Sequence, residues 1–163
     1  MKTDLHLSNT QLGLALSAFA ILYAFFQIIG RLIGDRFVPR KVLGIVGLLW
    51  ALATTATGLA TGLTSLVAAR LGLGFGEGAS FPIATSAMSK WMPDDQHGLA
   101  QGITHSASRI GNASGAHRDP GIIALLGWRV SFWITGAFSL LWVIVWYLYF
   151  RDERETHPKI TAD

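Results

Sequence analysis

Long apolar stretches alternate with short polar segments along this chain. From Val130 to Phe150 it runs for twenty-one residues without a charged side chain, and a membrane-spanning helix needs about 20 apolar residues. A second uncharged stretch covers Leu12–Gly30, and a third covers Val42–Ala69. The third is too long for one helix and is interrupted by a turn-like segment near Gly58–Ser65. The pattern therefore predicts several helices of bilayer length.

These boundaries predict an all-α integral membrane protein with about five transmembrane helices. Ser8 and Gln11 have the spacing of a capping box at the start of the first helix. The later breaks fall at Pro39, at the turn just named, at Met92–Asp95 and at Gly127–Trp128. We predict a short polar segment at 1–8, a helical bundle at 9–150 with spans at 9–33, 40–61, 64–90, 98–126 and 129–150, and a charged cytoplasmic tail at 151–163.

The composition also indicates lipid as the solvent. The chain is 51% hydrophobic and 14% charged, with a mean hydropathy of +0.42, whereas a soluble domain carries roughly 25% charged residues. An unusually apolar soluble helical bundle is the less favoured alternative. The absence of cysteine excludes disulfides and thiolate metal sites. The five histidines are scattered, so we expect no metal site, and no basic, aromatic-interleaved patch for nucleic acid is present.

The distribution of lysine and arginine predicts the orientation in the membrane. Positive residues concentrate at cytoplasmic helix ends, and here one set of helix ends holds eight of them against two at the opposite set. The eight are Arg31, Arg36, Arg40, Lys41, Lys90, Arg151, Arg154 and Lys159, and the two are Lys2 and Arg129. We expect a multi-pass protein of the inner (plasma) membrane with its N-terminus outside and its C-terminus in the cytoplasm.

Two oppositely charged residues, Arg70 and Glu77, lie within the third predicted helix. They are seven residues apart and therefore share one face, two turns from each other. A charge at the centre of a bilayer costs ~2.5 kcal/mol or more, so such residues usually face a cavity or a partner. In one interpretation Arg70 binds a carboxylate with both arms of its guanidinium and Glu77 carries a proton. In the other, both residues pair with neighbouring helices and hold the bundle together.

Further polar side chains recur at helical spacing in the first and fourth predicted helices. Tyr23 and Gln27, one turn apart, could present a hydroxyl and an amide to a cavity, although hydrogen bonds between helices explain them equally well. Gly98 and Gly102 are most simply interpreted as sites of close helix packing. The fourth helix carries Gln101, His105, Ser108 and Asn112 on one face. Of these, His105 is expected to be a hydrogen-bonded core residue rather than a proton carrier.

The charged loop within GRLIGDRFVPRKVL, residues 30–43, closely resembles the loop between the second and third helices of major facilitator superfamily transporters. The resemblance extends over almost the whole chain and is closest to the anion:cation symporter branch. The motifs that carry it are LSNTQLGLALSAF, DRF-PRKVL, R-x-x-x-G-x-G-E-G-x-x-F-P, W-M-P, G-L-A-Q-G, S-R-x-G-N-A and G-W-R-x-S-F-W.

The resemblance implies a proton-coupled symporter of organic anions such as sugar acids or aromatic and dicarboxylic acids. It implies anion binding by Arg70, a sugar-acid contact by Tyr23 and proton coupling by Glu77. Gln27 and Ser108 complete the candidate substrate-binding residues. A gating role is implied for Asp35, Arg36, Arg40 and Lys41 in the loop. Expected partners are the bilayer, a small organic anion, a proton and, if one is encoded, a separate C-terminal half; no cofactor is expected. We predict no enzymatic activity, because no nucleophile–base or metal constellation is present.

Several departures from the family pattern predict an incomplete carrier. The chain is similar to family helices 2 to 6, so helix 1 and helices 7 to 12 are missing and a full alternating-access cycle is not expected. Arg31 stands where a packing glycine belongs, and Val38 replaces the glycine of the turn. In the fourth helix, the patch His117–Gly121 replaces an apolar stretch, and two compensating frameshifts would produce such a change. The alternative function is a non-transporting membrane interaction module or a gene remnant.

Overall fold

The structure is a computed structural model that describes the backbone of residues 1–151 and all their side chains except those of 114–124. This part of the chain is all-α, as predicted. The patch His117–Gly121 lies outside the described side chains. The five helices are α1 (Asn9–Arg36), α2 (Pro39–Gly58), α3 (Leu63–Trp91), α4 (His97–Leu126) and α5 (Trp128–Tyr149), with one 3₁₀ turn at Asp94–Gln96.

Helix ends follow local sequence signals. The Ser8 hydroxyl accepts a hydrogen bond from the Gln11 amide nitrogen at 3.1 Å, and the Gln11 side chain accepts one from the Ser8 amide nitrogen at 2.8 Å. This is the predicted capping box. α1 continues to Arg36 instead of stopping at residue 33. α1 ends before Val38, because the ring of the following residue, Pro39, disfavours helical geometry at Val38.

The helices run up and down, so their ends lie on two sides of the bundle. We call the side with the 37–38 and 92–96 connections the basic side, and the side with the 59–62 and 127 connections the N-terminal side. The Trp91 indole donates a hydrogen bond to the Arg151 carbonyl at 2.8 Å, which places the end of the described chain on the basic side. The predicted basic loops and the described start of the tail therefore share one side.

Glycines allow α1 and α3 to approach closely. A Cβ built on Gly78 would lie 2.9 Å from the Cα of Tyr23, so no larger residue fits without displacing α1. α2 packs against both α3 and α5. α4 is packed less tightly, because a Cβ built on Gly98 or Gly102 meets no described atom within 4 Å. The prediction that these two glycines mark close helix packing is therefore wrong for the part of the chain described.

On the N-terminal side, residues before α1 fold over the helix ends. Leu5 and Leu7 are buried in a cluster with Leu66 and Trp128. The Trp128 indole donates a hydrogen bond to the Asp4 carboxylate at 2.8 Å. This bond, followed by the nearby N-terminal ammonium, lowers the pKa of the exposed Asp4 carboxyl. The segment thus holds the start of α1 against the start of α5.

Among the described residues, three helices, α1, α2 and α5, are long and apolar enough to cross a membrane by length and composition. Large apolar side chains cover much of the outer surface, including Ile28 at 73% exposure and Leu125 at 85%. Patches of this kind favour contact with lipid rather than water. The chain is accordingly a multi-pass, membrane-embedded protein, and the number of crossings remains the prediction of five.

Candidate functional site

Four helices surround a cavity of about 310 Å³ at the middle of the bundle, which we call the central cavity. It brings together three predicted site residues, Tyr23 of α1, Glu77 of α3 and Ser108 of α4. Each lies close to the midpoint of its helix. The full lining is Tyr23, Trp50, Glu77, Ser80, Phe81, Ser108 and Asn112.

Glu77 is half-buried, and its carboxylate faces this cavity without a hydrogen bond or ion pair from the described residues. The neighbouring Ser80 hydroxyl donates to the carbonyl of Gly76 at 2.7 Å rather than to Glu77. A half-buried carboxylate without a hydrogen-bonding partner is costly, so this position is suited to exchanging a proton or binding a ligand.

Arg70 lies two turns from Glu77, towards the N-terminal side, and does not line the central cavity. Its guanidinium carbon is 5.5 Å from the ring centre of Phe132, a cation–π contact with α5. Its Nε is buried without a hydrogen-bond partner among the described residues. No ion pair joins Arg70 to Glu77 within the described side chains. Arg70 therefore keeps hydrogen-bonding capacity that the described bundle does not satisfy.

A second cavity, of about 490 Å³, opens between α1, α3 and α4 towards the basic side, and we call it the basic-side cavity. Gln27 lines the basic-side cavity, whereas Tyr23 lines the central cavity, although both were predicted to serve one site. Phe81 lines both cavities. The full lining of the basic-side cavity is Gln27, Arg31, Asp35, Phe81, Pro82, Thr85, Ser86, Ser89 and His105.

His105 is not the hydrogen-bonded core residue that was expected. Its side chain is exposed to the basic-side cavity and forms no hydrogen bond with the described residues. The imidazole instead stacks on the ring of Phe81, with centroids 5.4 Å apart and planes inclined by 2°. One turn away, the Gln101 amide donates to the Thr85 hydroxyl at 2.7 Å. These contacts join α3 to α4.

The four predicted gating residues occupy different environments on the basic side. Asp35, Arg36 and Lys41 are exposed, and Asp35 lies 3.9 Å from the Nε of Arg31. Arg40 instead donates a hydrogen bond to the Tyr147 carbonyl at 2.5 Å, and its guanidinium carbon lies 4.7 Å from the Tyr147 ring centre. The structure therefore ties Arg40 to α5 and leaves the other three at the surface.

Trp50 and Phe81 are cavity residues that the sequence analysis missed. Phe81 follows Glu77 by one helical turn, and this spacing is the signal that could have identified it. Trp50 carries no such signal, because an aromatic residue in an apolar helix looks the same whether it faces lipid, core or cavity.

Comparison with known proteins places these features in context. The sequence profile of the Major Facilitator Superfamily matches residues 1–163. The chain is 43% identical over 162 residues to a probable sulfoacetate transporter, SauU, of Cupriavidus necator, covering 99% of this chain and 38% of that protein. It is 31% identical over 153 residues to a hexuronate transporter of Bacillus subtilis, covering 94% of this chain and 36% of that protein.

Among solved structures, the chain resembles a bacterial homologue of the human lysosomal transporter Spinster in an inward-facing, unoccupied conformation. The TM-score is 0.80 at 22% identity, covering 99% of this chain and 40% of that one, and this likeness concerns the fold. The chain spans about two-fifths of the length of the relatives it matches.

Proposed function

Because this chain belongs to the major facilitator superfamily, we propose that it forms part of a proton-coupled symporter of small organic anions. The names of its relatives support this substrate class, since sulfoacetate and hexuronates are organic anions. The observation that carries the proposal is the placement of Glu77 in the central cavity with Tyr23 and Ser108, free of any hydrogen bond or ion pair from the described residues.

Anion recognition falls to three side chains in this proposal. Arg70 lies two turns along α3 from Glu77, outside the lining of the central cavity, and supplies positive charge from the N-terminal side together with the donor capacity that is unsatisfied at its buried Nε. The hydroxyls of Tyr23 and Ser108 face the central cavity, where they donate to carboxylate or hydroxyl oxygens of the substrate. A site at the middle of the helices agrees with the general position of substrate sites in such carriers.

Proton coupling follows from placing an anion beside Glu77. Two negative charges in a cavity of low dielectric repel each other much more strongly than in water. Protonation of Glu77 removes that repulsion, so anion binding favours the protonated form, and protonation favours anion binding to the same extent. One proton would therefore accompany each anion.

We place the basic side in the cytoplasm of a cell with an inner membrane, so that the N-terminus is outside and five helices cross. The eight-to-two bias of lysine and arginine supports this orientation. Asp35, Arg36 and Lys41 are exposed on that side and are available to pair with the rest of a carrier. Arg40 contributes to the gate indirectly, by holding α2 against α5.

Equilibrium binding of sulfoacetate to the chain in lipid nanodiscs tests the recognition role of Arg70. Arg70→Ala should abolish binding in the central cavity, because removing one partner of a desolvated charged pair costs roughly 2–5 kcal/mol. Arg70→Lys should restore little, since an ammonium lacks the planar fork of a guanidinium. Lys90→Gln, a matched loss of positive charge at an exposed position on the basic side, should bind as the unaltered chain does. Undiminished binding by Arg70→Ala would refute the role.

A further inference from the structure

The polar groups of the basic-side cavity divide into two kinds. The three hydroxyls are bonded to backbone carbonyls: Thr85 donates to Phe81 at 3.0 Å, Ser86 to Gly34 at 2.9 Å and Ser89 to Ser86 at 2.9 Å. In contrast, Gln27 and His105 form no hydrogen bond with the described residues. The groups left free are an amide, with two N–H donors and one carbonyl acceptor, and an imidazole with at least one N–H donor.

Arg31 supplies further unsatisfied donors in the same cavity. Its side chain is 83% exposed, and its contact with the Asp35 carboxylate is a long one, 3.9 Å within the same helix. Exposed pairs of this kind contribute only ~0–1 kcal/mol, so the guanidinium is free to exchange Asp35 for another acceptor. Asp35 is the single carboxylate in the lining.

The donors are arranged along a line that begins at the central cavity. Tyr23, Gln27 and Arg31 follow one another at intervals of four residues on α1, so they share one face over successive turns. His105 lines the same cavity from α4 and stacks on Phe81, which lines both cavities. An anion that leaves the central cavity towards the basic side therefore meets these groups next.

We propose that Gln27, Arg31 and His105 form a second binding subsite, in the basic-side cavity, for a small organic anion with a carboxylate or sulfonate group. The inference rests on the proposed function, because it concerns the route of the same substrate. The subsite holds the anion after it passes the stacked rings of Phe81 and His105. Arg31 supplies the charge, and the Gln27 amide and a ring N–H of His105 donate the remaining hydrogen bonds.

The subsite can be tested on the full chain in lipid nanodiscs by NMR of isotopically labelled histidine. The His105 signal is assigned by its loss in His105→Phe, which keeps a ring for the stack. Sodium sulfoacetate is added against sodium chloride of equal ionic strength. We expect a saturable shift of the His105 signal. Its midpoint should rise about tenfold in Arg31→Gln and should stay unchanged in Lys90→Gln, which removes an exposed positive charge of α3 on the basic side, outside the cavity.

Labelled Tyr23, observed in the same titration, separates this inference from the proposed function. Arg70→Gln should remove the Tyr23 response and leave that of His105. A Tyr23 response without a His105 response would overturn the subsite and leave the central site standing. A His105 response without a Tyr23 response would overturn the central site and leave the subsite standing. Equal effects of Arg31→Gln and Lys90→Gln, or loss of the His105 shift in Arg70→Gln but not in Arg31→Gln, would also overturn the subsite.

Discussion

The rings of Phe81 and His105 lie parallel, with centroids 5.4 Å apart, at the boundary between two cavities. Phe81 stands one turn from Glu77 on α3, and His105 stands three residues before Ser108 on α4. The stack is therefore one turn closer to the basic side than the residues proposed to bind substrate and proton. We interpret it as the partition that an anion must pass.

Phe81→Ala should open this partition, because it removes the ring that both cavities share. The chain has no cysteine, so a single introduced thiol reports accessibility. Ser108→Cys in the central cavity should react faster with a membrane-impermeant maleimide applied from the basic side once Phe81 is alanine. Ser89→Cys, already in the basic-side cavity, is the matched control and should react equally fast in both backgrounds. An unchanged rate at position 108 would show that Phe81 is not a barrier.

Gly78→Ala should destabilise the bundle and disturb the central cavity. The added Cβ would lie 2.9 Å from the Cα of Tyr23, so α1 must shift, and overpacking of this kind costs about 1–3 kcal/mol. Gly102→Ala adds the same methyl group where no described atom lies within 4 Å, and should be neutral or slightly stabilising. Unfolding in detergent measures both. Equal stability of the two variants would contradict the close packing of α1 on α3.

The five-span topology predicts opposite locations for the connections. Reporter fusions at Pro39 and Pro93 should indicate the cytoplasm, and a fusion near Gly62 should indicate the exterior, because the basic residues cluster on the first side. An exterior signal at Pro39 would reverse the orientation. If the fusions at Pro39 and Pro93 reported different sides, the number of crossings between them could not be the two that α2 and α3 provide.

Much of the helical framework could be predicted from sequence because its signals are local. The Ser8–Gln11 capping box and the bilayer-length apolar stretches depend on residues close together in the chain. Helical periodicity likewise placed Ser108 and Asn112 on one face of α4, and in the structure both line the central cavity with Glu77.

What could not be predicted depends on how separate helices meet. One turn of α1 separates Tyr23 in the central cavity from Gln27 in the basic-side cavity, and the division is made by Phe81 of another helix. Periodicity gave His105 a face but no partner, and the structure supplies an aromatic ring where a hydrogen bond was expected. Arg70 shares a face with Glu77, yet it contacts Phe132 of α5 instead of lining the cavity.

Coupling of anion binding to a proton on Glu77 can be measured by calorimetry of sulfoacetate binding in two buffers of different ionisation enthalpy. The difference in heat gives the number of protons taken up with the anion. The unaltered chain in nanodiscs should take up protons on binding at neutral pH. Glu77→Gln, which mimics the protonated carboxyl, should bind sulfoacetate without proton uptake, whereas Asp94→Asn, at an exposed carboxylate on the basic side, should behave as the unaltered chain does. Binding by the unaltered chain without proton uptake, or undiminished uptake in Glu77→Gln, would show that Glu77 does not couple a proton to the anion.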